Sequence, residues 1–167
     1  MPQSTNCLRA DRRGSAVQSE AVGHSPWLPA EGIGARQELL NFHSLFPIPQ
    51  ELLKGGFNQT AYEWERYNWG CKWGAREPQI LDEWSRGILY QFDTPWVPPT
   101  QLIEHVSKEW PELMFILEYE ECGNGFRGMA KAKAGRLDDR WRRILKGGSE
   151  DQSPVRRCRF PPAGSVL

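Results

Sequence analysis

The stretch NWGCKWGA, residues 68–75, concentrates groups able to hold a ligand. It contains Asn68, Trp69, Cys71, Lys72 and Trp73, with Arg66 just before it and Arg76 just after. Trp96 follows in FDTPWVPP, residues 92–99. Indole rings beside lysine and arginine can stack nucleobases or other flat ligands, as in single-strand binders. Tryptophan and arginine are also enriched at protein–protein hot spots. A third reading is purely structural. Six of the eight tryptophans fall between Trp64 and Trp110, dense enough to fill a core, with Asn68 and Gly70 making the turn after a helix. The binding candidates are Arg66, Asn68, Trp69, Lys72, Trp73, Arg76 and Trp96, whereas the structural reading places Trp64, Trp69, Trp73 and Trp96 in the core.

Catalytic chemistry has weaker support. Glu63 and Glu65, or Glu118, Glu120 and Glu121, supply carboxylates, but none comes with a partner that suggests acid–base work. His43 and Cys71 could pair in space, yet a Cys/His dyad needs a third orienting group and none stands out. Nucleophile-elbow, zinc-protease, P-loop and dinucleotide fingerprints are missing, so no cofactor is expected. The four cysteines, Cys7, Cys71, Cys122 and Cys158, form no C-x-x-C pair and have no histidine at ligand spacing. We therefore expect reduced thiols and no metal site. The alternative to a binding protein is a small hydrolase or transferase with its site near residues 68–73 and 94–96.

The chain has 167 residues, enough for one domain with tails. No apolar run approaches the roughly 18 residues needed to cross a bilayer, and the first residues lack the apolar core of a signal peptide. A cytoplasmic protein with no membrane partner is expected. Net charge is zero but unevenly spread: residues 41–124 carry a balance of −7 and residues 125–167 a balance of +7.

The elements that must position these residues follow from periodicity. Residues 1–35 are rich in Ser, Gly, Gln, Pro and Arg, and are expected to be poorly ordered. Leu40, Phe42, Ser44 and Phe46 alternate with Asn41, His43 and Leu45, a strand pattern ended by Pro47 and Pro49. Thr60 with Glu63 predicts a capped helix over 60–69. EPQILDEWSRGILYQFDT reads as two strands about the turn 85–87. TQLIEHVSKEW is a helix, with Leu102, Ile103, Val106 and Trp110 on one face. ELMFILEYEE and FRGMAKAKA form a hairpin around Asn124-Gly125. In that hairpin Glu118 and Glu120 share a face with Arg127, Met129 and Lys131. Gly128, Ala130 and Ala132 face inward and leave room that the tryptophans could fill. Leu137, Trp141, Ile144 and Leu145 recur at helical spacing, predicting an amphipathic basic helix over 136–148. Its cations Arg136, Arg140, Arg143 and Lys146 could neutralise the acidic body or meet a nucleic acid or acidic protein.

Four segments resemble one family. NFHSLFPIPQEL (41–52), NWGCKW (68–73), FDTPWVPP (92–99) and WPELMFILEYEECGNGFRG (110–128) are similar, in order, to motifs of the YubB/Api92-like proteins. The resemblance spans about residues 39–135. It implies a ferredoxin-like domain, an occurrence on phages, plasmids and other mobile elements, and no established biochemical role. Family members open with a strand and a helix before the first motif; here only NCLRA (6–10) hints at that strand.

Together these expectations describe an α+β protein: a ferredoxin-like antiparallel sheet with helices on one face (36–135), a basic helix (136–148), and disordered tails at 1–35 and 149–167. The expected function is that of a non-catalytic accessory protein that binds a protein or a nucleic acid.

Overall fold

The computed structural model describes residues 3–12, 39–54, 56 and 58–144. Six strands form one sheet: β1 (Gln3–Arg12), β2 (Arg76–Trp84), β3 (Gly87–Pro95), β4 (Leu113–Glu121), β5 (Phe126–Lys133) and β6 (Arg136–Arg143). The helices are α1 (Phe42–Leu45), α2 (Gln59–Asn68) and α3 (Thr100–Glu109), and a 3-10 turn covers Gln50–Leu53. The sheet order is β2-β3-β1-β4-β5-β6, and every pairing is antiparallel. The run β1-α2-β2-β3-α3-β4 is the split βαβ arrangement: β1 and β2 run the same way with β3 between them.

The N-terminal segment needs correction. Residues 3–12 are an inner strand, paired with β3 on one side and β4 on the other. The inward face of β1 carries Ser4, Asn6, Leu8 and Ala10, so its alternation is half polar and gives little hydrophobic signal. Asn6 is accommodated by its amide, which donates to Ser4 O (2.8 Å) and to Thr94 Oγ1 (2.9 Å). The remainder of the expected tails, residues 1–2, 13–35 and 149–167, lies outside the described residues.

The strand expected at 40–46 is instead the short helix α1. Asn41 caps it, its side chain accepting from the His43 and Ser44 N–H groups. The second helix starts one residue early, capped by Asn58 rather than Thr60. The expected hairpins and α3 are present. The register sets Glu118 opposite Met129 and Glu120 opposite Arg127, on the shared face the sequence implied.

The basic helix over 136–148 is also corrected: Arg136–Arg143 is strand β6, on the outer edge beside β5. Leu137 and Trp141 are four residues apart, a spacing that keeps them on one side of a helix and equally on one side of a strand. The turn decides between these. Ala134 and Gly135 both have positive φ (48° and 74°), the backbone of a two-residue hairpin. Gly135 N–H donates to Ser107 Oγ on α3 (2.9 Å), tying the turn to the helix layer.

The core lies between the helices and the face that carries Leu8, Tyr90, Phe92, Phe115 and Leu117. Helix α3 packs across β4, β5 and β6, over the small residues Ala130 and Ala132. Tryptophans do not fill the space above Gly128. The Tyr119 ring does, and a Cβ on Gly128 would come within 2.4 Å of it. Cys71 is a buried thiol and Cys122 an exposed one. Cys7 is disulfide-bonded, which departs from the expectation of four reduced thiols.

Candidate functional site

The end of α2 turns back on itself because Gly70 adopts φ 86° and Trp73 follows at φ 63°. A side chain at Gly70 would strike Gln101 at the start of α3, so the turn lies tight against that helix. Trp69, 3% exposed, is the pivot. Its indole N–H donates to Phe46 O (2.9 Å), and its ring meets Phe42 and Trp64 edge-to-face. Phe42 in turn lies edge-to-face against Phe92 on β3. This contact chain draws residues 40–48 against residues 65–75.

A cleft of about 290 Å³ opens where the two segments meet, lined by Phe42, His43, Glu65, Trp69, Trp73 and Gly74 among others. Glu65 is 4% exposed. Its Oε2 accepts the Trp73 backbone N–H at 3.0 Å, which fastens the left-handed residue in place. Oε1 has no hydrogen-bond partner among the described residues. Burial holds the Glu65 carboxyl above its ordinary value of 4.5, and the Trp73 N–H and the charge of His43 offset this in part. His43 Nδ1 accepts from Ile48 N–H (3.2 Å), so a neutral ring carries its proton on Nε2.

Around Trp73, which lines the cleft, the surface is aromatic and cationic. Lys72 Nζ sits 4.1 Å from the centre of the Trp73 ring, 5.9 Å from Tyr62 and 6.0 Å from Trp96. Arg66 lies 5.9 Å from Tyr62. Trp73 is 48% exposed, and Trp96, Val97 and Tyr67 are exposed as well. Trp96 holds φ 69°, in a turn closed by Thr94 Oγ1–H donating to Val97 O (2.8 Å).

Arg66, Lys72, Trp73 and Trp96 therefore come together, as their types suggested. The other candidates do not join them. Trp69 is core, and Asn68 donates to Trp64 O within α2. Arg76 is an exposed residue on β2 opposite Asp93. Strand geometry also breaks up the basic quartet: Arg136 and Arg140 lie on one side of β6 and Arg143 on the other, while Lys146 is outside the described residues. Two cleft residues had no strong signal. Glu65 was one carboxylate among many, although it stands four residues before Trp69 and so on the same side of α2. His43 in sequence suggests no more than a partner for Cys71. That thiol is pushed far above its ordinary value, first by burial and second by the Glu65 charge, which disfavours the thiolate that nucleophilic chemistry needs.

Residues 68–142 match a family model described as the ferredoxin-like domain in Api92-like protein. Over these residues the chain is similar to the ferredoxin-like domain of Api92-like proteins. The match takes in three of the four motifs that suggested it, together with nearly all of β6. The segment 41–52, which builds one wall of the cleft, precedes it. A solved structure of a protein api92 from Yersinia pseudotuberculosis is 20% identical, with a TM-score of 0.43, over 53% of this chain. The chain spans 31% of that protein's length. No curated protein matches it. Among the described residues no helix is long and apolar enough to cross a membrane, and no cluster of three or more His, Cys, Asp or Glu could hold a metal ion.

Proposed function

We propose that the protein acts by binding, as an accessory protein of a phage, plasmid or other mobile element, and that its cleft receives a lysine or arginine side chain of a partner protein. The observation that carries this is Glu65: a buried carboxylate with one oxygen unpartnered among the described residues, in a cleft walled by Phe42, Trp69 and Trp73. Aromatic walls and a carboxylate suit a cationic head group, through ring attraction and a charge-assisted hydrogen bond. The cleft is at the small end of ligand sites, about 300 Å³, which suits one side chain. Exposed Trp73 and Trp96 then supply the surrounding contact surface.

The test is an NMR titration of the indole N–H signals with N-acetyl-arginine amide and N-acetyl-lysine amide. Saturable shifts for at least one, lost in Glu65→Gln and weakened in Trp73→Ala, are expected. Shifts that persist unchanged in Glu65→Gln, or no saturation by either probe, would sink the proposal.

One observation favours an enzyme instead. A carboxyl raised by burial in a concave site is what a general acid or base requires. That reading needs turnover of a substrate that Glu65→Gln abolishes while binding persists, whereas the binding reading expects no turnover and loses binding in Glu65→Gln.

A further inference from the structure

We propose that the outer hairpin of the sheet, on the side away from the helices, is a phosphate-binding face for a nucleic-acid backbone. This rests on the register of β5 and β6 and is independent of the cleft. Ala130 and Ala132 face the helix layer, so Arg127, Met129, Lys131 and Lys133 face the other way. Across from them stand Arg142, Arg140, Asp138 and Arg136. Two strands thus present six cations and one carboxylate on one side.

Asp138 is held by Arg140 (3.0 Å). The other five cations, Arg127, Lys131, Lys133, Arg136 and Arg142, have no ion pair among the described residues. Lys131, Arg136, Arg140 and Arg142 are exposed, and Arg127 Nε is buried without a hydrogen-bond partner. The next acidic residues on this side after Asp138 are Glu118 and Glu120 on β4, opposite Met129 and Arg127.

Charges on an edge strand can serve only to prevent unwanted pairing. That role does not require three more cations on β5, one strand inside the edge. Cross-strand rows repeat about every 6.7 Å along the hairpin, so the cations form a ladder able to follow a run of phosphates. Arginine contributes paired donors that fit phosphate oxygens. The face offers Met129 as its one apolar group and no aromatic anchor, since Trp141 lies on the opposite side of β6. A protein interface would need such an anchor at its centre.

The experiment uses the full chain and fluorescein-labelled 20-nucleotide DNA and RNA, single-stranded and duplex, read by anisotropy between 50 and 200 mM salt. Five free cations predict a log–log salt slope of about −3.5 on single strands and about −4.5 on duplex, or roughly a 100-fold loss of affinity on single strands across that range. Lys131→Gln/Arg136→Gln/Arg142→Gln should reduce the single-strand slope by about 2, and Arg136→Gln alone by about 0.7. Arg86→Gln, in the turn at the other edge of the sheet, should bind like the parent. All substituted positions are exposed, and an unchanged thermal melt shows that the variants fold. No binding at 50 mM salt, a triple variant that binds like the parent, or equal binding of poly-L-glutamate would each overturn the proposal.

Discussion

Trp69→Ala should be the most damaging single change in the NWGCKW segment. The side chain is 3% exposed, and a buried tryptophan removes about 150–250 Å² from water, worth roughly 4–6 kcal/mol at about 25 cal/mol per Å². Alanine keeps little of this. The edge-to-face contacts with Phe42 and Trp64 add about 0.5–1.5 kcal/mol each. Relaxation of the cavity and a water reaching Phe46 O reduce the total, so the expected loss is about 3–5 kcal/mol, the usual range for such truncations. Trp73 is 48% exposed and gives a contrasting case. Trp73→Ala should cost about 1 kcal/mol, and Trp73→Gly less than Trp73→Ala, because glycine is at ease at φ 63°. Urea denaturation followed by far-ultraviolet circular dichroism measures all three without relying on tryptophan emission. A double-mutant cycle with Phe42→Ala should return a coupling of about 0.5–1.5 kcal/mol. If Trp69→Ala unfolds within 1 kcal/mol of the parent, Trp69 does not join the two segments and the account of the cleft fails with it.

Three further outcomes follow from the same geometry. Deleting residues 1–12 should abolish the cooperative melt, because an inner strand with partners on both sides is lost; a fragment of residues 36–148 that melts like the full chain would contradict the sheet order. Gly128→Ala should cost about 1–3 kcal/mol in the same urea assay, since the added methyl meets the Tyr119 ring at 2.4 Å and Arg140 O at 2.8 Å. Glu65 is raised, so the folded state holds its proton more tightly than the unfolded chain. Its contribution is therefore most favourable at low pH, declines as pH rises from 4.5 to the folded value, and is flat above. Urea midpoints across pH should show the parent losing ground to Glu65→Gln over that window, and parallel profiles would refute the assignment.

Much of the frame could be read locally. The hairpins β2–β3 and β4–β5 and the helix α3 each join a hydrophobic period to a turn or stop signal within ten or twenty residues, so neighbours in sequence suffice to specify them. Two strands could not be read this way. β1 buries Ser4 and Asn6, and the Asn6 Nδ2 group donates to Thr94, 88 residues away, so its polar face resembles an unstructured segment until the partner strand is in place. β6 has apolar residues at a spacing that fits helix and strand alike; it becomes a strand because the Ala134-Gly135 turn returns the chain along β5. Residue types alone marked Lys72, Trp73 and Trp96 as capable of binding. Tertiary structure decided that Glu65, Phe42 and His43 share a cleft with Trp73, because the Trp69 indole reaches Phe46 O, 23 residues back along the chain, and a contact at that separation has no local pattern to announce it.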